Sequence, residues 1–242
     1  MNDEHGEHDE HDHENHQALI GERLAEVRER IATAARTSGR DPAEVSLVVV
    51  TKEVDVQRIR AARAAGAVDL GENRTADLVA KAETIGSTGD LDQEVRWHFV
   101  GRLQRNKVRA AAPYVALWQS IDREELATEV GRRAPGAAVL VQVNVTGEAQ
   151  KGGCPPAETA ALVDACAAHG CHADGLMTVP PLAGDPRPVF ARVRHMTDDL
   201  GLRVCSMGMS GDYEAAIAEG ATMVRVGSAI FGPRPGAANA RR

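Results

Sequence analysis

Position 52 is a lysine that follows the run Leu47-Val48-Val49-Val50-Thr51. Such a run suits a strand buried on both faces, which puts Lys52 at its C-terminal end. An amine in a partly apolar setting is desolvated, and desolvation favours its neutral form. Neutral amine is the species that adds to an aldehyde to make a Schiff base. The plainer reading from position alone is a snorkelling surface lysine. Two small-residue segments lie late in the chain, Ser206-Met207-Gly208-Met209-Ser210 and Gly227-Ser228. There backbone N–H groups can approach an anion, and a following helix start adds its positive dipole end. Ordinary tight turns are the equal alternative. Arg225 can pair with a rim carboxylate or point at a ring nitrogen of a ligand. His98, beside Trp97 and Phe99, reads as a hydrogen-bonded rim histidine, and Asn144 can bond either a ligand or backbone. A strand-end amine together with an anion cradle points to a phosphorylated aldehyde.

These residues need a frame. A helix is expected from about Gln17 to Thr37, because Ile20, Leu24, Val27 and Ile31 fall on one face and Gly39 and Pro42 end it. Short β-branched runs then alternate with Ala-rich amphipathic stretches. The runs are Val45–Thr51, Ala67–Leu70, Val95–Val100, Tyr114–Gln119, Val139–Val143, Ala173–Thr178, Arg203–Ser206 and Thr222–Val226. Helical stretches fall near 55–65, 74–86, 104–111, 123–134, 156–169, 186–200 and 212–219, with Asp55, Asp122 and Asp212 as N-caps and Pro155 and Pro156 in a first turn. Alternation implies a parallel sheet with right-handed crossovers, and eight units imply an α/β fold closed as a single (β/α)8 TIM barrel. An open doubly wound sheet is the runner-up, weakened because no G-x-G-x-x-G turn follows the first strand. Barrel sites lie at the C-terminal strand ends. The unusual residues fall there: Lys52, Gly71-Glu72-Asn73, His98 with Gly101, Ser120 with Asp122, Asn144, Thr178, Ser206–Ser210 and Arg225–Ser228. Pyridoxal 5′-phosphate (PLP) is the commonest cofactor that is a phosphorylated aldehyde.

Composition narrows the function classes. Residues 1–16 hold seven acids and no Lys or Arg, so the net charge of −7 resides in this segment and the body is near neutral. A near-neutral body gives no electrostatic case for nucleic acid. No apolar run is long enough to span a bilayer, and the acidic N-terminus is unlike a signal peptide. The chain is therefore expected to be soluble and cytoplasmic. Cys154, Cys166, Cys171 and Cys205 form no CxxC pair and no metal spacing, so reduced, mostly buried thiols are expected. The segment 1–16 carries five of the nine histidines. A solvated, disordered tail is expected there, with weak Zn, Ni or Cu binding as the sharper alternative. The expected organisation is a tail over 1–16, a barrel over 17–235 and a flexible C-terminus over 236–242. Pro233, Pro235 and Gly236 interrupt the stretch after the last strand, and no second domain is expected there.

The motifs resemble a known family. VVTK at 49–52, GEN at 71–73 and WHFVGRLQRNK at 97–107 are similar to its signatures. So are NVTGEAQKG at 144–152, GLMTVP at 175–180, SMGMS at 206–210 with Asp212, and RVGSAIFG at 225–232. The chain is identified on these as a member of the pyridoxal phosphate homeostasis protein family, over roughly residues 17–235. The resemblance implies a barrel like the N-terminal domain of alanine racemase, with Lys52 as the PLP-bearing lysine. It implies phosphate contacts from Ser210, Gly227 and Ser228, Arg225 near the pyridine nitrogen, and Asn73, Met207 and His98 lining the pocket. Two positions depart from the family pattern. Val54 stands where many members have a second lysine, and Ser228 where many have Thr.

The implied function is a PLP carrier for intracellular vitamin B6 homeostasis, without enzymatic turnover. PLP-dependent apo-enzymes are the implied recipients, and a monomer is expected. A PLP-dependent amino-acid racemase and a cofactor-free Schiff-base aldolase are the competing functions. Neither of the two tyrosines, Tyr114 and Tyr213, is an obvious second base for racemisation, although Tyr213 follows the phosphate turn.

Overall fold

The eight β-branched runs become eight parallel strands in the computed structural model. They are β1 Ser46–Val50, β2 Asp69–Glu72, β3 Arg96–Phe99, β4 Val115–Ile121, β5 Ala138–Gln142, β6 His172–Met177, β7 Val204–Ser206 and β8 Met223–Val226. Each pairs with the next in chain order, and β1 closes on β8 from Ser46↔Met223 to Val49↔Val226, completing the barrel. The structure describes residues 17–86, 95–148, 151–181 and 183–233, together with the backbone alone of 4–16. The expected flexible C-terminus, 236–242, lies outside the described residues.

Nine helices accompany the strands among the described residues: α1 Glu4–Thr37, α2 Val56–Ala64, α3 Thr75–Gly86, α4 Val108–Ala111, α5 Glu124–Arg133, α6 Thr159–Ala168, α7 Arg187–Asp199, α8 Tyr213–Ala218 and α9 Ser228–Phe231. The long helix α1 buries Ile20, Leu24, Val27, Ile31 and Ala35 against the body. It packs on α2, α8 and α9. Each of its large apolar side chains contributes on the order of 2 kcal/mol by leaving water. The helix after β8 is only four residues long. The outer ring is instead filled between α8 and α2 by α1, from the start of the chain. Backbone 4–16 continues α1 where composition predicts a disordered tail. Those residues contain no proline, and their acids sit at the positive end of the helix dipole.

Other differences are local. β2 takes in Gly71 and Glu72, and β4 runs on to Ile121, beyond the expected ends. Asp55 caps α2 by accepting from Arg58 N at 2.9 Å. Asp122 makes no cap, since its Oδ1 accepts from the Arg123 guanidinium instead. Asp212 accepts backwards, from Met209 N at 2.6 Å, and so ties the Ser206–Ser210 turn to α8.

Alternation sorts the strand residues. Val49, Leu70, Trp97, Phe99, Trp118, Val141, Val224 and Val226 join the outer core beneath the helices. Val48, Leu117, Leu140, Met177 and Met223 form a separate cluster inside the barrel. All four cysteines are free and buried. Burial pushes the Cys166 thiol up to about 12. No described helix is long and apolar enough to cross a membrane.

Candidate functional site

Val48, Val50 and Lys52 share the inward register of β1, so the lysine continues the barrel interior at its C-terminal mouth. The next residue, Glu53, has φ of 61°, the one positive value outside glycine among the described residues. Such a conformation costs a non-glycine residue roughly 1–2 kcal/mol. It turns the chain sharply from the strand toward α2.

Lys52 lines a cavity of about 430 Å³. Asn73, Ser210, Arg225, Gly227 and Ser228 line the same cavity, so six of the eight expected site residues converge. At one side, the N–H groups of Gly227 and Ala229 both donate to Ser210 Oγ, at 3.2 and 3.3 Å. These donors converge where β8 passes into α9. A Cβ on Gly227 would lie 2.9 Å from the Val50 carbonyl oxygen, so glycine permits the close approach. Arg58 adds a guanidinium to the cavity wall, and its buried Nε has no partner among the described residues.

His98 and Met207 are the two expected residues that the structure keeps away from the cavity wall. Met207 is fully buried in the outer core, and Met209, two residues on, lines the cavity. The difference follows from Gly208 between them, whose φ of 93° breaks the extended run after β7, so Met209 does not stay on the side of Met207. His98 points into the barrel but lies deeper, 4% exposed. Asn144 accepts from Gly147 N and donates to the Glu148 carbonyl, so it shapes its own loop.

Beneath the cavity runs a chain of hydrogen bonds. Arg225 Nη1 donates to Ser206 Oγ at 2.6 Å, and Nη2 donates to the Thr178 carbonyl at 2.7 Å. Ser206 donates to Gln119 Oε1 at 2.7 Å. Gln119 Nε2 lies 2.8 Å from His98 Nδ1 and 3.2 Å from Met223 Sδ. His98 Nε2 lies 3.0 Å from Asp69 Oδ1, and Arg96 grips that carboxylate with two 2.7 Å bonds. Burial alone would raise the Asp69 carboxyl, but the bonds from His98 and Arg96 outweigh it and hold it at about 2. Arg225 is 5% exposed, and burial pulls its guanidinium down to about 10, so it stays cationic at neutral pH. Gln119 and Arg58 were not signalled by any motif. Gln119 shows only as a polar residue in register with inward Leu117, and Arg58 looks like any helix cation.

Thr51, Glu72 and Lys81 support the lysine turn from behind. Thr51 Oγ1 donates to Glu72 Oε1 at 2.8 Å, and Lys81 donates to that oxygen and to the Thr51 carbonyl. Neither tyrosine reaches the cavity. Tyr114 donates to Glu83 at 2.9 Å, and Tyr213 is buried with its ring under the Arg30 guanidinium.

A family model described as alanine racemase, N-terminal domain, matches residues 23–235. The pyridoxal phosphate homeostasis protein of Pseudomonas aeruginosa is 40% identical over 225 residues, covering 89% of this chain and 96% of that protein. The namesake from Aquifex aeolicus is 40% identical over 227 residues, covering 88% and 97%. PipY of Synechococcus elongatus, solved with PLP bound, superposes with a TM-score of 0.73 at 32% identity, covering 88% of this chain and all of that one. With barrel, strand-end lysine and full-length likeness in agreement, the chain belongs to the pyridoxal phosphate homeostasis protein family, built on the alanine racemase N-terminal barrel.

Proposed function

We propose that this chain holds PLP as a Schiff base on Lys52 and acts as a carrier in vitamin B6 homeostasis, without enzymatic turnover. The observation that carries the reading is the convergence of Lys52, Asn73, Ser210, Arg225, Gly227 and Ser228 on one cavity. Its volume is in the range of small-ligand pockets. Bound PLP supplies an aldehyde for amines and an electron-withdrawing ring. Lys52 holds the aldehyde carbon. Ser210, Gly227 and Ser228 hold the phosphate through a hydroxyl and backbone N–H groups, and the neighbouring Arg58 adds positive charge on that side. Arg225 donates to the pyridine nitrogen. A guanidinium does not readily give up its proton, so that nitrogen stays unprotonated. Asn73 borders the ring. Val54, in place of the family's second lysine, is buried and leaves Arg58 as the added cation on this segment.

The carrier is proposed to be a cytoplasmic monomer that passes PLP to PLP-dependent apo-enzymes, with 17–235 as the functional unit. The deciding experiment is visible absorbance of the purified protein loaded with PLP, followed by borohydride reduction and peptide mapping. The expected result is a yellow protein with the reduced adduct on Lys52, and neither in Lys52→Ala. An adduct mapped to another lysine would overturn the assignment. A colourless protein that still traps an aldehyde substrate on Lys52 would favour an aldolase.

A further inference from the structure

We infer that Ser206, Gln119, His98 and Asp69 form a one-way relay that positions Arg225 for the cofactor ring. The inference rests on the proposed placement of Arg225 at the pyridine nitrogen. Arg225 is a buried cation with no carboxylate hydrogen-bonded to it among the described residues; it donates to a hydroxyl and a backbone carbonyl. Such a charge is costly unless something compensates it. Asp212 offsets part of it through space, and the carboxylate reached through bonds is Asp69, at the opposite end of the chain of contacts described above.

The direction of each bond is fixed by its neighbours. Asp69 is ionised, so it only accepts, and His98 donates to it from Nε2. His98 Nδ1 then accepts from Gln119 Nε2, whose second proton faces Met223 Sδ. Gln119 Oε1 accepts from Ser206, and Ser206 accepts from Arg225. Every donor points away from Arg225 and toward Asp69, so the bond dipoles add and the positive and negative ends sit at opposite termini. Two of the five guanidinium N–H donors are tied by Ser206 and Thr178. With the group clamped at both Nη atoms, its remaining donors have one orientation toward the cavity that Arg225 lines. Gln119 and Ser206 are 0% exposed, so breaking the chain cannot be repaired by bulk water. These are positioning residues, because none of Ser206, Gln119, His98 or Asp69 lines the cavity.

A purely structural network would affect folding but leave the ring environment alone. The test therefore reads the ring. PLP-loaded wild-type, Gln119→Leu, Ser206→Ala and Asp69→Asn proteins are compared by the absorbance maximum of the bound cofactor, its pH dependence and the PLP dissociation rate. Leu140→Val, in the same interior but outside the relay, is the control. Asp69→Asn keeps an acceptor oxygen for His98 and for Arg96 Nε, removes the charge, and gives up the bond from Arg96 Nη2 at the rim of the relay. Gln119→Leu and Ser206→Ala should shift the absorbance and speed dissociation about tenfold, the scale of one lost buried hydrogen bond. Asp69→Asn should act in the same direction and less. Unmoved spectra and dissociation rates within twofold of wild type in all three variants would overturn the relay, as would an equal shift in Leu140→Val. Wild-type protein without a borohydride-fixed adduct on Lys52 would instead defeat the PLP reading itself.

Discussion

Lys81 Nζ lies 2.5 Å from Glu72 Oε1, and the same ammonium donates at 2.8 Å to the carbonyl of Thr51, the residue before Lys52. Glu72 is fully buried and the Lys81 side chain is 12% exposed. Removing one member of a buried pair leaves an uncompensated charge, at a cost of about 3–5 kcal/mol. Lys81→Met should therefore lower unfolding stability by about 3 kcal/mol. Because the lysine also ties the Thr51 carbonyl, the variant should loosen the turn that aims Lys52. Denaturant unfolding measures the first effect, and the rate of Schiff-base formation with added PLP measures the second. The double change with Glu72→Leu should recover much of the stability but not the rate. Equal stability of Lys81→Met and wild type would show the pair to be energetically idle.

Gly101 gives a second prediction. A Cβ built there would stand 2.1 Å from the carbonyl oxygen of Asn73. Backbone cannot yield that far, so Gly101→Ala must displace the β2 exit or the β3 exit. Asn73 borders the cavity, and the displacement should weaken PLP retention by about tenfold or more, the scale of roughly 1.4 kcal/mol. Equilibrium dialysis of the variant measures it, and affinity equal to wild type would show that the loops separate without moving the site.

The barrel was legible because parallel strands buried on both faces must be written in β-branched runs, and eight such runs separate eight helical stretches. Val48-Val49-Val50 and Met223-Val224-Arg225-Val226 are such strands. The helix α9 was not legible, since four residues carry no period. The start of α1 carries no sequence signal, because a run without apolar residues shows no face to bury, while its backbone continues a helix already anchored by Ile20 and Leu24. The site was legible at strand ends, where Lys52 and Gly227 announce themselves by position. His98 and Met207 do not line the cavity, because neither the depth of His98 along its strand nor the backbone turn at Gly208 after Met207 is written in a motif. Gln119 was invisible for a different reason: its partners, His98, Ser206 and Met223, come from three other strands.

Acid sensitivity should report on Asp69. Its carboxyl is held at about 2 in the fold by His98 and Arg96 against the opposing effect of burial, whereas an unfolded Asp titrates near about 3.9. A depressed value means that the folded state prefers the ionised form. The contribution is fully present above about pH 4 and fades as pH falls toward about 2, up to about 2 kcal/mol in all. Asp69→Asn should thus be less stable at neutral pH, and the gap from wild type should narrow on acidification through that window. Thermal melts between about pH 2 and pH 7 check it. A constant gap across the window would show that the carboxylate is not preferentially ionised in the fold.

The last prediction is that the protein does not racemise amino acids at an enzyme-like rate. Racemisation takes a proton from one face of Cα and returns one to the other. A two-base route needs two acid–base groups within hydrogen-bond reach of that carbon. Lys52 can serve one face once an incoming amine has displaced it. The other face lacks a suitable group among the described cavity-lining residues. Apart from Lys52, the ionisable side chains there are Glu53, Arg58 and Arg225. Glu53 is exposed at the rim, and the two guanidiniums are poor proton donors and acceptors at neutral pH. Tyr213 follows the phosphate turn in sequence, but its ring is buried under Arg30, and burial raises its phenol above the ordinary value. Tyr114 bonds to Glu83, away from the cavity. In the proposed placement Arg225 would add a second brake, because a pyridine nitrogen that accepts from a guanidinium stays unprotonated and draws electrons less strongly. Exchange of bound PLP onto added amino acids is therefore expected, with little turnover. Incubation of L- and D-alanine in deuterium oxide, with chiral analysis and mass measurement of Cα exchange, tests this. Turnover near about one per second, the low end of common enzyme rates, would overturn the carrier reading if Lys52→Ala abolished it.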